Sequence, residues 1–209
     1  MRVLSTEELD RLEAACRTIP LSEHDHTAND LMEELFLTVL DYQNRAATVD
    51  AALAHFRSEH PGVRSLEDLE GILTDHPDDE DLAQTLWGNR HHRRARELRG
   101  LVAYFRARDA TDLTALRRWA VRSTQEDFVG RIKGLGPAVY RSLVMRLGVD
   151  TIKPDVHVLR FASAAIGRRV TQHEAVTSLE EVARRLGISA RTLDGSVWAF
   201  QAKREDGSN

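Results

Sequence analysis

The sequence predicts an all-α protein, and three observations lead to that fold class. Apolar residues recur at intervals of three and four positions along most of the chain, as in Leu31, Leu35 and Val39. A period-two alternation is sustained nowhere, so no strand is predicted. Helix start and stop signals punctuate the pattern: Ser5 or Thr6 can cap a first helix, which Pro20 terminates.

Further helices follow in order along the chain. A second helix is predicted to start at Thr27, with Asp30 completing a capping box, and its apolar residues on nearly all sides indicate a buried central helix. It runs into a polar tip at residues 41–45, which is typical of a surface loop with a capping role. More helices are predicted over residues 47–60, 66–73, 93–107 and 113–120, and residues 82–87 supply a few apolar positions between two turns.

Composition excludes several classes of protein. The 42% of hydrophobic and 30% of charged residues indicate a folded soluble chain, and no apolar run approaches the roughly 20 residues that cross a bilayer. The start lacks the apolar centre of a signal peptide, so we expect a cytoplasmic protein that contacts no membrane. The single cysteine, Cys16, excludes an internal disulfide, a four-cysteine zinc site and a cysteine-ligated iron–sulfur cluster.

The charges are unevenly distributed. A net charge of -4 argues against wholesale coating of nucleic acid. Residues 89–118 nevertheless concentrate arginines, whereas residues 66–81 are strongly acidic. The arginines of this basic stretch are Arg90, Arg93, Arg94, Arg96, Arg99, Arg106, Arg108, Arg117 and Arg118. Such a pattern fits either a surface that touches a polyanion or a solvated helix face.

A Gly-Leu-Gly turn separates two helical patterns in the middle of the chain. A helix through Phe128 and Ile132 is predicted to end at Gly134-Leu135-Gly136, and a second begins at about Pro137. Proline costs no hydrogen bond in a first helical turn, and glycines leave the backbone amides accessible. These amides and the helix dipole suit an anion such as a DNA phosphate, although many such turns are only tight connections.

The continuation of this turn resembles the helix-hairpin-helix (HhH-GPD) superfamily of DNA glycosylases, the endonuclease III-like group. The resemblance rests on the turn and on Asp155, His157 and Arg160 in an Asp-x-His-x-x-Arg setting behind Pro154. Weaker likenesses cover nearly the whole chain. These are Leu40 to Gln43 as an apolar helix ending in a DNA-facing glutamine, Gly88-Asn89 with Ala95 as the entry to a DNA-side helix, and Leu193 to Trp198 as the closing helix.

The resemblance implies two helical lobes flanking a DNA-binding cleft. One lobe would comprise residues 1–26 and 150–203, and the other residues 27–149, with the helix-hairpin-helix at 128–147. Residues 204–209 are expected to form a disordered tail. We expect a monomer that binds double-stranded DNA, with no cofactor beyond a monovalent cation of the kind that such hairpins often hold on backbone carbonyls.

The resemblance also assigns roles to individual residues. Asp155 stands where the family keeps its catalytic carboxylate, which would stabilise oxocarbenium character on the sugar and activate water. The alternative is that Asp155 caps a helix in a non-catalytic DNA-binding module. The DNA-binding residues would be Lys133, Gly134, Leu135, Gly136, Ala138 and Gln43. The base pocket or its support would comprise Tyr42, Asn44, Tyr140, His157 and Arg160.

Three departures from the family pattern refine the expected activity. Ala138 stands where strand-nicking members carry a Schiff-base lysine, so base release without lyase activity is expected unless Lys133 or Lys153 is recruited. Lys133 replaces a proline before the turn. Tyr140 replaces a small residue, and either widens the helix pair or offers a stacking surface at the pocket edge. The expected substrate is a damaged or modified base in duplex DNA.

Overall fold

The computed structural model describes residues 4–22, 27–42 and 44–206, and within these segments the protein is all-α, as predicted. Twelve helices and no strand occur in this part of the chain. The helices are α1 (Thr6–Cys16), α2 (Leu31–Leu40), α3 (Ala46–Glu59), α4 (Leu66–Asp75), α5 (Asp79–Trp87), α6 (His92–Arg106), α7 (Leu113–Arg122), α8 (Gln125–Phe128), α9 (Pro137–Arg146), α10 (Val156–Ile166), α11 (Gln172–Leu186) and α12 (Ala190–Asp206).

The chain divides into two compact units. Unit 1 comprises Met1–His26 and Val149–Asn209, and unit 2 comprises Thr27–Gly148. Unit 1 therefore contains α1 and α10 to α12, whereas α2 to α9 belong to unit 2. No helix among the described residues is long and apolar enough to cross a membrane.

Unit 1 forms a four-helix core. Leu12, Val158, Leu179 and Leu193 are completely buried, and each comes from a different helix of the unit. Capping boxes start both α1, at Ser5, and α11, at Thr171. These reciprocal bonds satisfy backbone amides that would otherwise lack a partner at the helix start.

Unit 2 is built around α2, which the sequence predicts to be a buried central helix. Eight of its ten residues are buried, among them the carboxylate of Glu34. Arg146 on α9 donates two hydrogen bonds of 3.0 Å from Nε to the Glu34 oxygens and a third, also of 3.0 Å, to the Thr38 hydroxyl. Burial raises the pKa of Glu34, and the Arg146 guanidinium opposes that rise. The protein tolerates a buried charge at this position only because the charge is paired and hydrogen-bonded.

Several helix ends differ from the sequence predictions. Helix α2 begins at Leu31, with Asp30 itself as the N-cap, because the Asp30 side chain accepts from the Glu33 amide at 2.8 Å. The helix predicted through Ile132 ends at Phe128, where extended Val129 and the positive φ of Gly130 (83°) interrupt it. The predicted disordered tail is helical as far as Asp206. Residues 207–209 of that tail lie outside the described residues.

Candidate functional site

The Gly-Leu-Gly turn of unit 2 lies against α6 at two glycines. Gly134 has φ +102°, and a Cβ at this position would overlap the Glu97 carboxylate of α6. One turn further along α6, a Cβ on Gly100 would lie 2.9 Å from Ile132 Cγ2. Both the backbone conformation and the close approach therefore require glycine at position 134.

The start of α9 presents backbone amides without a protein acceptor. Gly136 is the N-cap and Pro137 the first helical residue, and no side chain caps this end. Among the described residues, no acceptor contacts the amides of Gly136, Ala138 or Val139. The first amides of a helix carry partial positive charge, so this end of α9 can accept an anion.

Leu135 differs from its predicted role as a DNA-binding residue. Its side chain is 2% exposed, and its amide donates to the Ile132 carbonyl at 3.2 Å. The side chain and the amide of Leu135 therefore both make their contacts inside unit 2. Lys133 and Gly134 are exposed, and Gly136 and Ala138 are half-buried. The predicted contact surface is thus reduced to the residues on either side of Leu135.

A buried ionic network on α6 lies against the turn at Gly134. Glu97, 2% exposed, accepts from Arg93 Nε at 3.0 Å and from Arg94 Nη1 at 3.1 Å. The Arg94 guanidinium stacks 3.6 Å over the Tyr42 ring and donates to the Tyr42 carbonyl. Burial, and secondly the proximity of Glu97, raises the pKa of Tyr42 to about 12. Its hydroxyl is buried near Glu97 without a well-aligned hydrogen bond. Tyr42 therefore links the end of α2 to α6, the helix against which the turn lies.

The neighbours of Tyr42 are only partly described. Asn44 donates from Nδ2 to the Leu40 carbonyl at 2.7 Å and so closes the end of α2. This contact fits the capping role that is typical of a polar helix end. Gln43, the predicted DNA-facing residue, lies outside the described residues.

Tyr140 is a core residue of unit 2 and offers no stacking surface at a pocket edge. It is 5% exposed, and its ring lies 5.7 Å from that of Phe128 and 6.3 Å from that of Trp119. Its hydroxyl donates to the Ser123 carbonyl at 2.8 Å. The larger side chain thus fastens α9 to the segment between α7 and α8, and we remove it from the candidate base pocket.

The basic stretch does not form a simple basic surface, because most of its charge is neutralised inside unit 2. Arg96 and Arg99 each pair with Asp79 at 3.0 Å, and Arg106 approaches Glu70 at 3.6 Å. The acidic stretch therefore pairs with the basic one. Only some of the arginines of this stretch therefore remain for an external anion.

Asp155 is the N-cap of α10 in unit 1. Its Oδ1 accepts from the His157 amide at 2.9 Å and from the Val158 amide at 3.0 Å. The residue is half-buried, and Oδ2 accepts no hydrogen bond from any residue within the described ranges. One carboxylate oxygen thus holds the side chain in position, while the other is left for a further contact.

A second carboxylate, which the sequence interpretation did not assign, lies beside Asp155. Asp194 of α12 is 8% exposed, and its Oδ1 accepts from the Lys153 amide at 2.8 Å. Burial raises the pKa of Asp194 to about 7, and the negative charge of Asp155 adds to this rise. An acid in an otherwise apolar helical stretch was the available signal, but nothing in the sequence placed it next to Asp155. Asp194 is therefore buried and Asp155 half-buried, and the charge of Asp155 acts on Asp194.

The other predicted residues of unit 1 lie on α10 or just before it. The His157 ring, half-buried, lies 6.1 Å from the Trp198 ring in an edge-to-face arrangement. Arg160 is exposed one turn along α10. Lys153 is half-buried, and its backbone is held by Asp194. His157 thus packs against Trp198, and its supporting role in a base pocket stays a prediction.

The comparisons with known proteins identify a family but no activity. The all-helical fold defines the broad class, and the family model described as "Domain of unknown function (DUF8548)" matches residues 13–202. The chain therefore belongs to this family. No curated protein and no solved structure matches it. Any statement about its chemistry must accordingly come from its own residues.

Proposed function

We propose that the protein is a monofunctional DNA N-glycosylase that releases a damaged or modified base from duplex DNA. The proposal combines the resemblance of its central stretch to helix-hairpin-helix glycosylases with the environment of Asp155. The observation that carries it is that the two oxygens of this carboxylate are bonded differently. Oδ1 accepts hydrogen bonds from two backbone amides, and Oδ2 has no partner among the described residues.

This environment suits the cleavage of an N-glycosidic bond. As the base leaves, positive charge develops on the sugar, and a fixed carboxylate stabilises that charge without reorganising. Oδ2 of Asp155 would also orient a water molecule whose oxygen bonds to the anomeric carbon, while the bond between that carbon and the base nitrogen breaks. The water proton is taken up by Asp155. Base release then needs no covalent intermediate.

The start of α9 would hold the DNA backbone. The amides of Gly136, Ala138 and Val139 have no acceptor among the described residues, and exposed Lys133 adds a positive charge on the same turn. Backbone contacts of this kind position a protein on DNA without reading its sequence. A target base must leave the stack before it reacts, which makes a firm hold on the phosphates useful.

Ala138 supports base release without strand cleavage. Strand cleavage in the family that the chain resembles requires an amine that forms a Schiff base with the sugar, and a methyl side chain cannot supply one. The chain has three lysines, of which Lys133 is exposed and Lys153 half-buried. A lyase reaction through either lysine remains the alternative for this step.

A non-catalytic DNA-binding module is the second candidate function. Asp155 does cap α10, and the two hydrogen bonds of Oδ1 are sufficient to explain an aspartate at this position. In this case the carboxylate stabilises the helix, and no base is released.

Asp155→Asn distinguishes the two functions. Asparagine keeps an oxygen for the amides of His157 and Val158 but removes the negative charge. Purified protein is incubated with duplexes that carry a panel of alkylated, oxidised and deaminated bases, and abasic sites are then cleaved with alkali. We expect base release to fall by about 10²-fold or more in the variant while DNA binding is kept.

Asp112→Asn is a matched control for this experiment. Asp112 caps α7 in unit 2 by accepting from the Ala115 amide at 2.7 Å, so the two variants change the same kind of cap. Base release should be unaffected by it. Equal activity of the wild type and Asp155→Asn, or no release from the whole panel, would favour the binding module.

A further inference from the structure

A cavity of about 450 Å³ lies in unit 2 beside the C-terminal end of α6, along α7 and at α8. Its walls include three arginines, Arg108, Arg118 and Arg122, together with the indole of Trp119 and the hydroxyl-bearing Ser123. This volume is within the range of small-molecule sites, roughly 300 to 1,000 Å³. Arg108 and Arg118 belong to the basic stretch, and none of these residues is among those that the resemblance assigns to DNA binding, catalysis or the base pocket.

The first arginine is fixed in position by an aromatic ring. The Arg108 guanidinium lies 3.6 Å over the centre of the Tyr104 ring, and its Nη1 donates to the Tyr104 carbonyl at 3.0 Å. Tyr104 in turn donates from its hydroxyl to the Asp127 carbonyl at 3.0 Å. A cation held in this way loses little conformational freedom when it binds an anion.

The other two arginines have no acid partner in the described part of the chain. Arg118 and Arg122 are exposed one turn apart on α7, and in the segments that the structure describes their guanidinium groups make neither an ion pair nor a hydrogen bond. Like charges at this spacing destabilise a helix. Arg122 lies in the last turn of α7, where a cation interacts favourably with the helix dipole. The helix dipole does not account for an arginine at position 118. Arg96 and Arg99, by contrast, share Asp79.

Two acids at the cavity do not neutralise the three arginines. Oδ2 of Asp127 accepts from the amide of Thr124 at 2.8 Å and from its hydroxyl at 2.9 Å, and these bonds lower the pKa of Asp127. This carboxylate therefore caps α8, and the positive charges of Arg108 and Arg131 also act on it. Asp109 is exposed in the turn after α6. One positive charge remains in excess among the residues that line the cavity.

The aromatic wall is rigid. The ring of Trp119 meets that of Phe105 edge-on at 4.9 Å and that of Tyr104 edge-on at 5.9 Å, and the residue remains half-exposed. A flat, fixed indole beside guanidinium groups suits a ligand that carries both a phosphate and a planar ring.

We propose that this cavity is a phosphate-binding site, with Arg108, Arg118 and Arg122 as the cations that contact the phosphate oxygens. Planar guanidinium groups recognise phosphate through paired hydrogen bonds. The phosphate belongs either to a free nucleotide or to the backbone of nucleic acid, and both sources present the same chemistry. Phosphate binding here requires neither Asp155 nor base release, so an absence of glycosylase activity leaves the site intact.

The test compares two double variants that each remove two positive charges. Arg118→Gln with Arg122→Gln changes the cavity, and Arg11→Gln with Arg169→Gln changes exposed arginines of unit 1. Far-UV circular dichroism and thermal melting establish that both fold. Binding of inorganic phosphate, pyrophosphate, dAMP and a short undamaged duplex is then measured at low salt by calorimetry and by fluorescence anisotropy.

We expect the cavity variant to bind at least one of these probes about tenfold more weakly than the wild type, with the unit 1 variant unchanged. A loss confined to pyrophosphate and dAMP identifies a free nucleotide as the source. A loss confined to the duplex, with a shallower salt dependence, identifies the nucleic-acid backbone. The proposal would be overturned if the wild type bound none of the probes, or if the two variants lost affinity equally.

Discussion

Replacing Asp194 by asparagine should reduce the pH dependence of the stability of unit 1. The Asp194 carboxyl is buried and accepts a hydrogen bond from the Lys153 amide, and an asparagine oxygen can accept the same bond. The substitution therefore keeps the contact and removes the titration. Asp194 is thus a place where the effect of one buried charge can be measured directly.

The magnitude follows from the pKa of the carboxyl in the two states. Burial, followed by the charge of Asp155, raises the pKa of Asp194 from an ordinary 3.8 to about 7. Because the folded state binds this proton more tightly than the unfolded state, the group's contribution to stability is fully present below pH 3.8. It is lost as the pH rises to about 7. At about 1.4 kcal/mol for each tenfold change in proton affinity, the loss amounts to about 4 kcal/mol.

The stability of the variant relative to the wild type should therefore increase as the pH rises. The difference in the free energy of unfolding between Asp194→Asn and the wild type should change by about 4 kcal/mol between pH 4 and pH 8, in favour of the variant. A constant cost of about 1 to 3 kcal/mol for the unpaired amide N–H groups is subtracted at every pH. The net result at pH 8 is a variant as stable as the wild type or more so.

Urea denaturation at a series of pH values measures this difference, with hydrogen exchange in α10 and α12 to locate the effect in unit 1. Asp50→Asn serves as the control, because Asp50 is an exposed acid on α3 in unit 2. This variant measures the effect of replacing an exposed carboxyl by an amide at each pH. If the curves of Asp194→Asn and the wild type run parallel from pH 4 to pH 8, folding does not raise the pKa of Asp194 and the reasoning is refuted.

Two further outcomes are expected. Gly134→Ala should cost more than about 2 kcal/mol of stability in a thermal melt, because the positive φ and the Glu97 carboxylate both oppose a Cβ; Gly62→Ala, with nothing within 4 Å of an added Cβ, is the control and should change stability by less than about 0.5 kcal/mol. A variant of Gly134 as stable as the wild type would show that the turn can move away from α6. Borohydride should trap no covalent adduct of the protein with abasic or lesion-bearing DNA, because Ala138 cannot form a Schiff base. An adduct that disappears in Lys133→Ala or Lys153→Ala would instead establish the lyase alternative.

Local patterns were sufficient to predict most of the helices. The spacing of apolar residues and the caps depends on neighbours three or four positions apart, and for that reason the all-α fold and the buried α2 could be predicted from the sequence. The capping box at Thr171, with Glu174 three residues later, was an equally local signal for α11 that the sequence interpretation left unused. Helix ends were less predictable, because α8 stops where Gly130 takes a positive φ.

The partners of charged groups depend on residues that are distant in sequence. Asp194 lies far along the chain from Asp155, and only the packing of α12 with α10 brings their charges together. In the same way, Arg96 and Arg99 pair with Asp79 of another helix, whereas Arg118 and Arg122 have no acid partner in the described segments.

The sequence by itself thus determined the fold class, the Gly-Leu-Gly turn and the absence of a Schiff-base lysine at position 138. Only the tertiary structure decided that Leu135 and Tyr140 are core residues and that the Asp155 carboxylate lies beside a second, buried one. The physical reason is that periodicity and capping are interactions between near neighbours, whereas burial and charge pairing depend on how separate helices pack.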